Sequence, residues 1–318
     1  MLSRVAENIY WMGRYVERAE NTARLINVNA FLLLDLPKGI SPGWEPLIAI
    51  TGHHDIFESH YKVYSERNVV KFLTGDLDNP SSILSALRMA RENCRTIRDI
   101  VPKATWELLT ELNIYARDNL QAGLTKKGRH AYLERIIEGS QLLTGMLGAT
   151  LSRDEAWSFL RMGRNLERAD MTTRFIDVRS ANLLPDDTSE LRPFETIQWM
   201  SVLKSLSSYH MYRRRMQVQV QRGEVLRFLF QDETFPRSFL HCLQSVEQEV
   251  GHLPRNQACR DAINDLKDKV LNSKVERLKR DKLSLFIDQL QLGLGKVHDA
   301  LAAGYFLPVE PALATAAN

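Results

Sequence analysis

Two segments of this chain, 150 residues apart, carry nearly the same sequence. Residues 12–28 (MGRYVERAENTARLINV) align without a gap with residues 162–178 (MGRNLERADMTTRFIDV), and ten of the 17 positions are identical. A match of this length at a constant offset indicates an internal repeat, which constrains the fold more than composition does. We therefore interpret the chain as a tandem duplication of one unit.

The repeat continues downstream of these segments. Phe72-Leu73 aligns with Phe228-Leu229, and Pro80 aligns with Pro236, both at an offset of 156. The small drift in offset indicates short loop insertions in the second copy. We assign residues 1–150 to helical repeat A and residues 151–318 to helical repeat B, and we expect the two to pack together as one unit.

The repeated unit has the pattern of amphipathic helices. In residues 12–28 the apolar side chains recur at helical spacing on one face. No part of the sequence has a convincing strand pattern. Further helices are predicted at about 83–99, 103–121, 129–149, 256–272 and 278–304. The sequence therefore predicts an all-α fold, an internally duplicated helical bundle with approximate pseudo-twofold symmetry, whose two repeat helices lie side by side.

Local signals predict where some helices begin and end. Pro80 and Pro236 are predicted at the first position of a helix, where a missing N–H costs nothing. Ser152 is predicted as an N-cap, with Glu155 completing a capping box. Breaks are predicted at the turn-rich segments 36–43 and 184–188, and a frayed end at 307–318.

Composition narrows the setting and the partners. The chain has 318 residues, of which 44% are hydrophobic and 25% charged, and its net charge is +3. These values are ordinary for a globular protein and indicate neither a nucleic-acid nor a membrane partner. Three cysteines without C-x-x-C spacing argue against a disulfide framework, and the charged N-terminus lacks a signal-peptide core. We expect a cytoplasmic protein.

A charged face lies opposite the apolar stripe of the first helix in each repeat. Both repeats keep arginines and a glutamate there, and neither uses lysine. Arginine presents a planar fork that pairs bidentately with carboxylate or phosphate, which lysine cannot reproduce. The candidate site residues are Arg14, Glu17, Arg18, Asn21 and Arg24 in repeat A, and Arg164, Glu167, Arg168 and Arg174 in repeat B.

Three interpretations of this Arg/Glu face stay open at the level of sequence. It is an ion-pair lattice that clamps the two repeat helices, a binding site for an anionic or peptide ligand, or a catalytic site. Within one helix, Glu17 is expected to pair with Arg14, and Arg24 to face outward toward a ligand or a neighbouring helix. Gly13 and Gly163 lie inside these helices and indicate a close helix crossing.

Four other motifs suggest chemistry less strongly. The histidines of residues 53–60 lack the spacing of a zinc site, so no metal is expected. Cys94 lies in a helical run and is not predicted to be a nucleophile. Residues 293–298 lack the strand and spacing of a phosphate loop, so no cofactor is predicted. The basic cluster 212–216 lacks an aromatic platform and is interpreted as a solvated helix face.

The opening residues 2–24 (LSRVAENIYWMGRYVERAENTAR) closely resemble the alpha-E domain family of bacteria. The resemblance extends over nearly the whole chain, and its further matching segments are Asn79–Ile83, Ala90–Asn93 with Arg98-Asp99, and Phe235–Ser238. One departure lies at Leu108–Asn113, where the family pattern leads us to expect Asn-Glu after the leucines.

The resemblance implies an all-helical protein encoded with, or fused to, circularly permuted ATP-grasp proteins and transglutaminase-like cysteine peptidases. That setting is ATP-dependent amide-bond formation and its reversal. This chain carries neither an ATP-grasp nor a peptidase motif. It is therefore expected to be the accessory member, with an ATP-grasp-type protein or a transglutaminase-like peptidase as partner.

Two functional hypotheses follow. The first is a non-catalytic helical module that binds a peptide, an acidic ligand or an ATP-grasp-type partner through the duplicated Arg/Glu face. The second is an amide-bond-forming or amide-transferring enzyme with Arg14, Glu17, Arg164 and Glu167 at the repeat interface. The absence of a Cys, Ser or His nucleophile arrangement favours the first.

Overall fold

A computed structural model describes residues 1–35, 43–181, 192–216 and 219–306 of the chain. These residues form fifteen α-helices and one short 3₁₀ helix, and no strand occurs among them, which confirms the all-α prediction. The helices are α1 (Ser3–Asp35), α2 (Glu45–Thr51), α3 (His54–His60), α4 (Glu66–Gly75), α5 (Ile83–Thr96), α6 (Lys103–Asp118), α7 (Leu120–Leu124), α8 (Lys126–Thr150), α9 (Glu155–Ala181), α10 (Arg192–Ser205), α11 (Tyr209–Met216), α12 (Arg222–Gln231), α13 (Phe239–Val250), α14 (Gln257–Leu271), the 3₁₀ helix Val275–Arg277, and α15 (Arg280–Tyr305).

The five further helices predicted from sequence are all present, with ends that differ by a few residues. They correspond to α5, α6, α8, α14 and α15, and the stretch predicted at 103–121 is divided into α6 and the short α7. The predicted breaks at 36–43 and 184–188 and the predicted frayed end fall on segments that lie outside the described residues, apart from Gly43.

The two proline-based helix starts are wrong by three residues. Helix α5 begins at Ile83 because the hydroxyl of Ser82 caps it by accepting a hydrogen bond from the backbone of Ser85. Ser238 caps α13 in the same way. The prolines lie in the turns that precede these caps. In the first turn, Asn79 Oδ1 accepts from the backbone N–H of Ser81, which holds the chain out of the helix until the serine cap.

The predicted cap of α9 is also displaced. Helix α9 begins at Glu155, and the carboxylate of Asp154 accepts from the backbone N–H groups of Ala156 and Trp157 at 3.0 and 3.4 Å. Asp154, rather than Ser152, therefore satisfies the first free amides of this helix. A carboxylate here also complements the positive end of the helix dipole.

Helices α1 and α9 lie at the centre of the fold and pack along each other. Helices α5 and α8 pack on α1, and their counterparts α13 and α15 pack on α9 in the same order along the chain. The outer pairs correspond as well, because α5 contacts α6 and α13 contacts α14. The two halves therefore repeat one arrangement of helices around the central pair, while the duplication as the origin of this arrangement stays a prediction.

The crossing of α1 and α9 is reciprocal, as an approximate twofold requires. A Cβ added to Gly13 would lie 2.7 Å from the carbonyl oxygen of Leu160, and one added to Gly163 would overlap the carbonyl oxygen of Tyr10. Tyr10 and Leu160 occupy equivalent positions in the two repeats. Each glycine thus admits the backbone of the opposite helix, which confirms the predicted close crossing.

Helix α1 is buried on more than its apolar stripe. Met12, Ala19 and Ile26 are fully buried, as the stripe predicts, but Glu17 and Asn21 on the opposite face are no more than 1% exposed. Helix α9 and the turn before α13 cover that face. The charged face is therefore an internal surface of the protein.

Among the described residues, no helix combines the length and apolarity that a membrane crossing requires.

Substituting alanine for Gly163 is expected to destabilise the protein by about 1–3 kcal/mol, because the new methyl group would overlap the Tyr10 backbone. Gly145 in α8 provides the control, since an added Cβ there meets no atom within 4 Å. Gly145→Ala should stabilise by about 0.5–1 kcal/mol through higher helix propensity. Urea unfolding measures both changes, and equal effects would contradict the close crossing.

Candidate functional site

The two central helices exchange ion pairs across their interface. Arg14 Nε donates to Glu167 Oε2 at 2.8 Å, and Arg18 forms a bidentate pair with the same carboxylate at 2.6 and 3.0 Å. On the other side of the crossing, Arg168 Nε lies 2.9 Å from Glu17 Oε2. Because Arg18 and Arg168 are equivalent, as are Glu17 and Glu167, the Arg18–Glu167 and Arg168–Glu17 pairs are related by the approximate twofold.

The symmetry breaks at Arg237, in the turn before α13. Its Nη1 donates to Glu17 Oε1 at 2.6 Å and to Asn21 Oδ1 at 2.9 Å, and its Nη2 donates to Glu20 Oε1 at 2.8 Å. The position equivalent to Arg237 in repeat A is Ser81, an uncharged residue that cannot form such ion pairs. Its hydroxyl is 2.8 Å from Nε2 of His53 instead.

Arg164 is left without a carboxylate as a consequence. Its equivalent, Arg14, pairs with Glu167, so symmetry would give Arg164 to Glu17, but Glu17 already holds Arg168 and Arg237. Arg164 makes no ion pair or hydrogen bond through its side chain among the described residues, and its Nε is buried without an acceptor. Among the described residues, Arg164 is thus a cation of the interface with no carboxylate in direct contact.

The remaining candidate residues form the outer part of the same cluster. Arg24 pairs with Glu20 one turn earlier in α1, and Arg174 pairs with Asp170 one turn earlier in α9, at 2.9 and 2.8 Å. The structure brings all nine predicted residues to this interface or its edges. Two local expectations are wrong: Glu17 pairs across the interface rather than with Arg14, and Arg24 faces an acidic side chain of its own helix.

The cluster holds more positive than negative charge. Its arginines are Arg14, Arg18, Arg24, Arg164, Arg168, Arg174 and Arg237, and its acidic residues are Glu17, Glu20, Glu167 and Asp170. Burial together with the nearby Arg18 and Arg174 lowers the pKa of His53, which favours the neutral imidazole, so His53 adds no further positive charge to the cluster. The cluster therefore favours an additional anion.

Sequence reasoning missed three members of the cluster. Glu20 and Asp170 are acidic at equivalent positions, and this agreement could have marked them. Arg237 carried no such signal, because its equivalent is Ser81 and it lies far along the chain from the first helix.

Burial and the arginines act in opposite directions on the two central carboxylates. Burial alone would raise the pKa of Glu167, but Arg18 and Arg14 outweigh it and hold the pKa at about 2. For Glu17, Arg168 and Arg237 likewise overcome burial and hold the pKa at about 2. Both carboxylates are therefore ionised across the physiological range, and both are weak bases.

The pKa values of the equivalent residues Arg164 and Arg14 are shifted in opposite directions. Burial, reinforced by repulsion from Arg168, lowers the pKa of Arg164 to about 10 in spite of the attraction of Glu17. The pKa of Arg14 is raised although burial opposes it, because Tyr10 and Glu167 favour the charged form. The two equivalent arginines thus sit in opposite electrostatic environments.

Aromatic side chains surround Arg14 and hold it in the lattice. Its guanidinium lies 5.0 Å from the ring centre of Trp11, and its Nη1 donates to the Tyr10 hydroxyl at 3.4 Å. That hydroxyl is also 2.9 Å from Nδ1 of His298 in α15. Leu160 replaces Tyr10 in repeat B, so Arg164 lacks the equivalent hydroxyl.

The other sequence motifs form no comparable site. Burial raises the pKa of the Cys94 thiol to about 11, which is unfavourable for a nucleophile. Gly293 lies inside α15 against Leu266, not in a phosphate loop. Near the histidine segment, His60, Asp76 and Asp78 bring possible ligand atoms within 4.8 Å of one another, and both imidazole nitrogens of His60 already face these carboxylates.

The fold and the cluster define an all-helical protein organised around two central helices that exchange buried Glu–Arg pairs. The chain belongs to the Alpha-E family, whose profile matches residues 1–306 and whose description is "a predicted alpha-helical domain with a conserved ER motif". Glu17-Arg18 and Glu167-Arg168 are the Glu-Arg dipeptides at the centre of this structure, where both glutamates are buried and both arginines are partly buried.

Curated relatives include uncharacterized proteins from Mycobacterium bovis and from two strains of Mycobacterium tuberculosis. Each is 23% identical to this chain over 270 residues, which cover 79% of the chain and 30% of the relative. The chain therefore spans less than a third of the length of these relatives. No solved structure matches the chain.

Stability is expected to fall with acid as the two central carboxylates become protonated. Because their pKa values are depressed to about 2, their contribution is complete above the unfolded value of 4.5 and is lost as the pH falls toward 2. Glu167→Gln should flatten this dependence, measured by urea unfolding across that interval. The control is Glu107→Gln, on an exposed Lys103–Glu107 pair. A wild-type slope in Glu167→Gln would contradict the assignment.

Proposed function

We propose that this chain is a non-catalytic accessory module that binds an acidic group of a partner protein or peptide at the Arg164 side of the cluster. The observation that carries the proposal is that the guanidinium of Arg164 has no direct carboxylate partner among the described residues. A cation held in an interface without a counter-charge costs stability, and an anionic group from outside would remove that cost. Arg164 is only partly buried, so part of the side chain is open to such a group.

The chemistry of the side chain specifies the ligand class. A guanidinium binds a carboxylate or phosphate through parallel hydrogen bonds, and these are stronger than neutral ones. The neighbouring Arg161 is paired with Glu249 at 2.8 Å, so it does not compete for the incoming group. The proposed ligand is therefore a carboxylate or phosphate group presented by a peptide or by a protein surface.

The proposed partner is an ATP-grasp-type protein or a transglutaminase-like peptidase, in the bacterial cytoplasm. The family resemblance supports this setting. The length of the mycobacterial relatives supports a module that acts with other domains, since the matched region is 30% of each relative and is joined there to other sequence.

The electrostatics of the cluster favour binding over amide-bond chemistry. A general base for amide formation needs a pKa near neutrality and a free lone pair. Glu17 and Glu167 have pKa values of about 2, and each carboxylate is held by two arginines. Neither has the properties of an acid–base catalyst.

Replacing Arg14 and Arg164 by glutamine is expected to separate the structural and binding roles. Arg14→Gln removes one of the arginines that hold Glu167 and should destabilise the protein by about 2–3 kcal/mol. Arg164→Gln removes an unpaired charge and should leave stability unchanged or higher. Thermal and urea unfolding measure both. A large stability loss in Arg164→Gln would show that Arg164 has a structural role in the ion-pair lattice and would contradict the proposal.

Binding is tested with the same variants. Titration calorimetry with the ATP-grasp-type protein of the same genome, and with a peptide that ends in glutamate, should show affinity reduced by roughly 10- to 100-fold in Arg164→Gln. Arg24→Gln is the matched control, because Arg24 lies in the same cluster but is paired with Glu20. Equal affinities of the wild type and Arg164→Gln for both probes would overturn the proposal.

A further inference from the structure

A second surface with a distinct chemistry lies between α11 and the turn that precedes α13. It is a groove with a cavity volume of about 410 Å³. The residues that matter are the apolar Met211, Phe228, Phe235 and Pro236 and the basic Arg214 and Arg215. The groove includes part of the basic cluster 212–216, which we interpret from the sequence as a solvated helix face.

The apolar floor of the groove is held rigid by aromatic contacts. The rings of Phe228 and Phe235 stack with their centres 4.9 Å apart, and Tyr212 packs edge-on to Phe228 at 5.6 Å. Met211 lies at the rim with 44% of its surface exposed. A rigid floor lowers the entropy cost of binding, and a flexible methionine at its edge adapts to different apolar side chains.

The charge of the groove wall is positive. The carboxylate of Asp232 accepts hydrogen bonds from the backbone of Thr234 and Phe235, both at 2.8 Å, and lies 3.2 Å from Arg215. Asp232 is therefore occupied in holding the turn. Arg214 is exposed and has no carboxylate within 4.0 Å among the described residues, so its charge is available to a ligand.

We infer that this groove docks an acidic peptide segment of a partner protein, with its apolar side chains against the exposed Met211 and Pro236 and its carboxylates against Arg214 and Arg215. Exposed apolar surface rimmed by arginine is typical of protein interfaces. A nucleic-acid backbone fits less well. The rings of Phe228 and Phe235 are 1% and 7% exposed, so the floor offers no open aromatic face on which bases can stack.

The groove and the Arg164 cluster share one turn but no residue. The turn gives Phe235 and Pro236 to the groove, and the next residue, Arg237, points inward to Glu17. The docking inference does not rest on the proposed function, because it depends on Arg214 and Met211 rather than on Arg164.

The first experiment locates the binding of a short fluorescein-labelled peptide rich in Glu, Leu and Phe. The chain has nine methionines, of which Met211 and Met216 line the groove and its continuation. With methyl-labelled methionine, the peptide should shift the Met211 and Met216 signals in the NMR spectrum and leave the others in place. Unshifted signals at both positions would overturn the inference.

The second experiment uses two neighbouring arginines with the same charge and similar exposure. Arg214 lines the groove and Arg213 does not. Arg214→Glu should reduce peptide affinity roughly tenfold or more in fluorescence anisotropy, because a like charge then faces the peptide, and Arg213→Glu should change it far less. An equal loss in both variants would show unspecific charge attraction and overturn the inference.

The third comparison separates the peptide from other polyanions and from the Arg164 site. Met211→Ser should weaken peptide binding, because it removes an apolar contact at the rim. A single-stranded oligonucleotide should bind more weakly than the peptide, and tighter binding of the oligonucleotide would overturn the inference. Arg164→Gln should bind this peptide with wild-type affinity. The two sites can then fail independently, because each set of variants leaves the other site intact.

Discussion

The structure depends on carboxylates buried between two helices and matched by arginines from the opposite repeat. Removing such charges from water is costly, and their attraction offsets that cost only when geometry and hydrogen bonding are good. Arg18 meets this condition, since two of its nitrogens reach the two oxygens of Glu167. The glycine crossing makes this possible, because it brings the backbones of α1 and α9 together one turn away from the charges. A shift of either helix along the other would leave buried charges unpaired, so the cluster also specifies the register of the two halves.

The two halves repeat one arrangement of helices, yet the cluster between them is asymmetric. A strictly twofold cluster would pair every arginine of one helix with the glutamate of the other. Arg237, which has only Ser81 as its equivalent, inserts a second arginine beside Glu17 and leaves Arg164 in excess. The Glu167 side keeps its full complement and an aromatic enclosure of Arg14. One side of the cluster thus has a direct partner for each arginine, and on the other side Arg164 has none among the described residues.

The sequence predicts the helices and the Arg/Glu face well, but not the partners within that face. Helical periodicity places α6, α8, α14 and α15 within a few residues, because hydrophobic spacing is a local property. The spacing of Glu17 and Arg14 suggests a pair within one helix, yet both residues pair across the crossing, where geometry is set by tertiary packing. The starts at Pro80 and Pro236 are displaced because serine caps three residues later than the prolines predict. Arg237 lies in the family-like segment Phe235–Ser238, but nothing local assigns it to Glu17, since their contact joins residues 220 apart in sequence.

The absence of lysine from the Arg/Glu face has a structural explanation at most positions. Lysine carries a single point of charge and cannot bridge both oxygens of one carboxylate as Arg18 does, so the lattice alone accounts for arginine there. The same holds for Arg237, whose two terminal nitrogens serve three acceptors. The choice of arginine is therefore no evidence of a ligand at these positions. Arg164 differs from these arginines, because no acceptor among the described residues uses its fork. This unpaired fork is the reason for our proposal that an acceptor from outside the chain binds at Arg164.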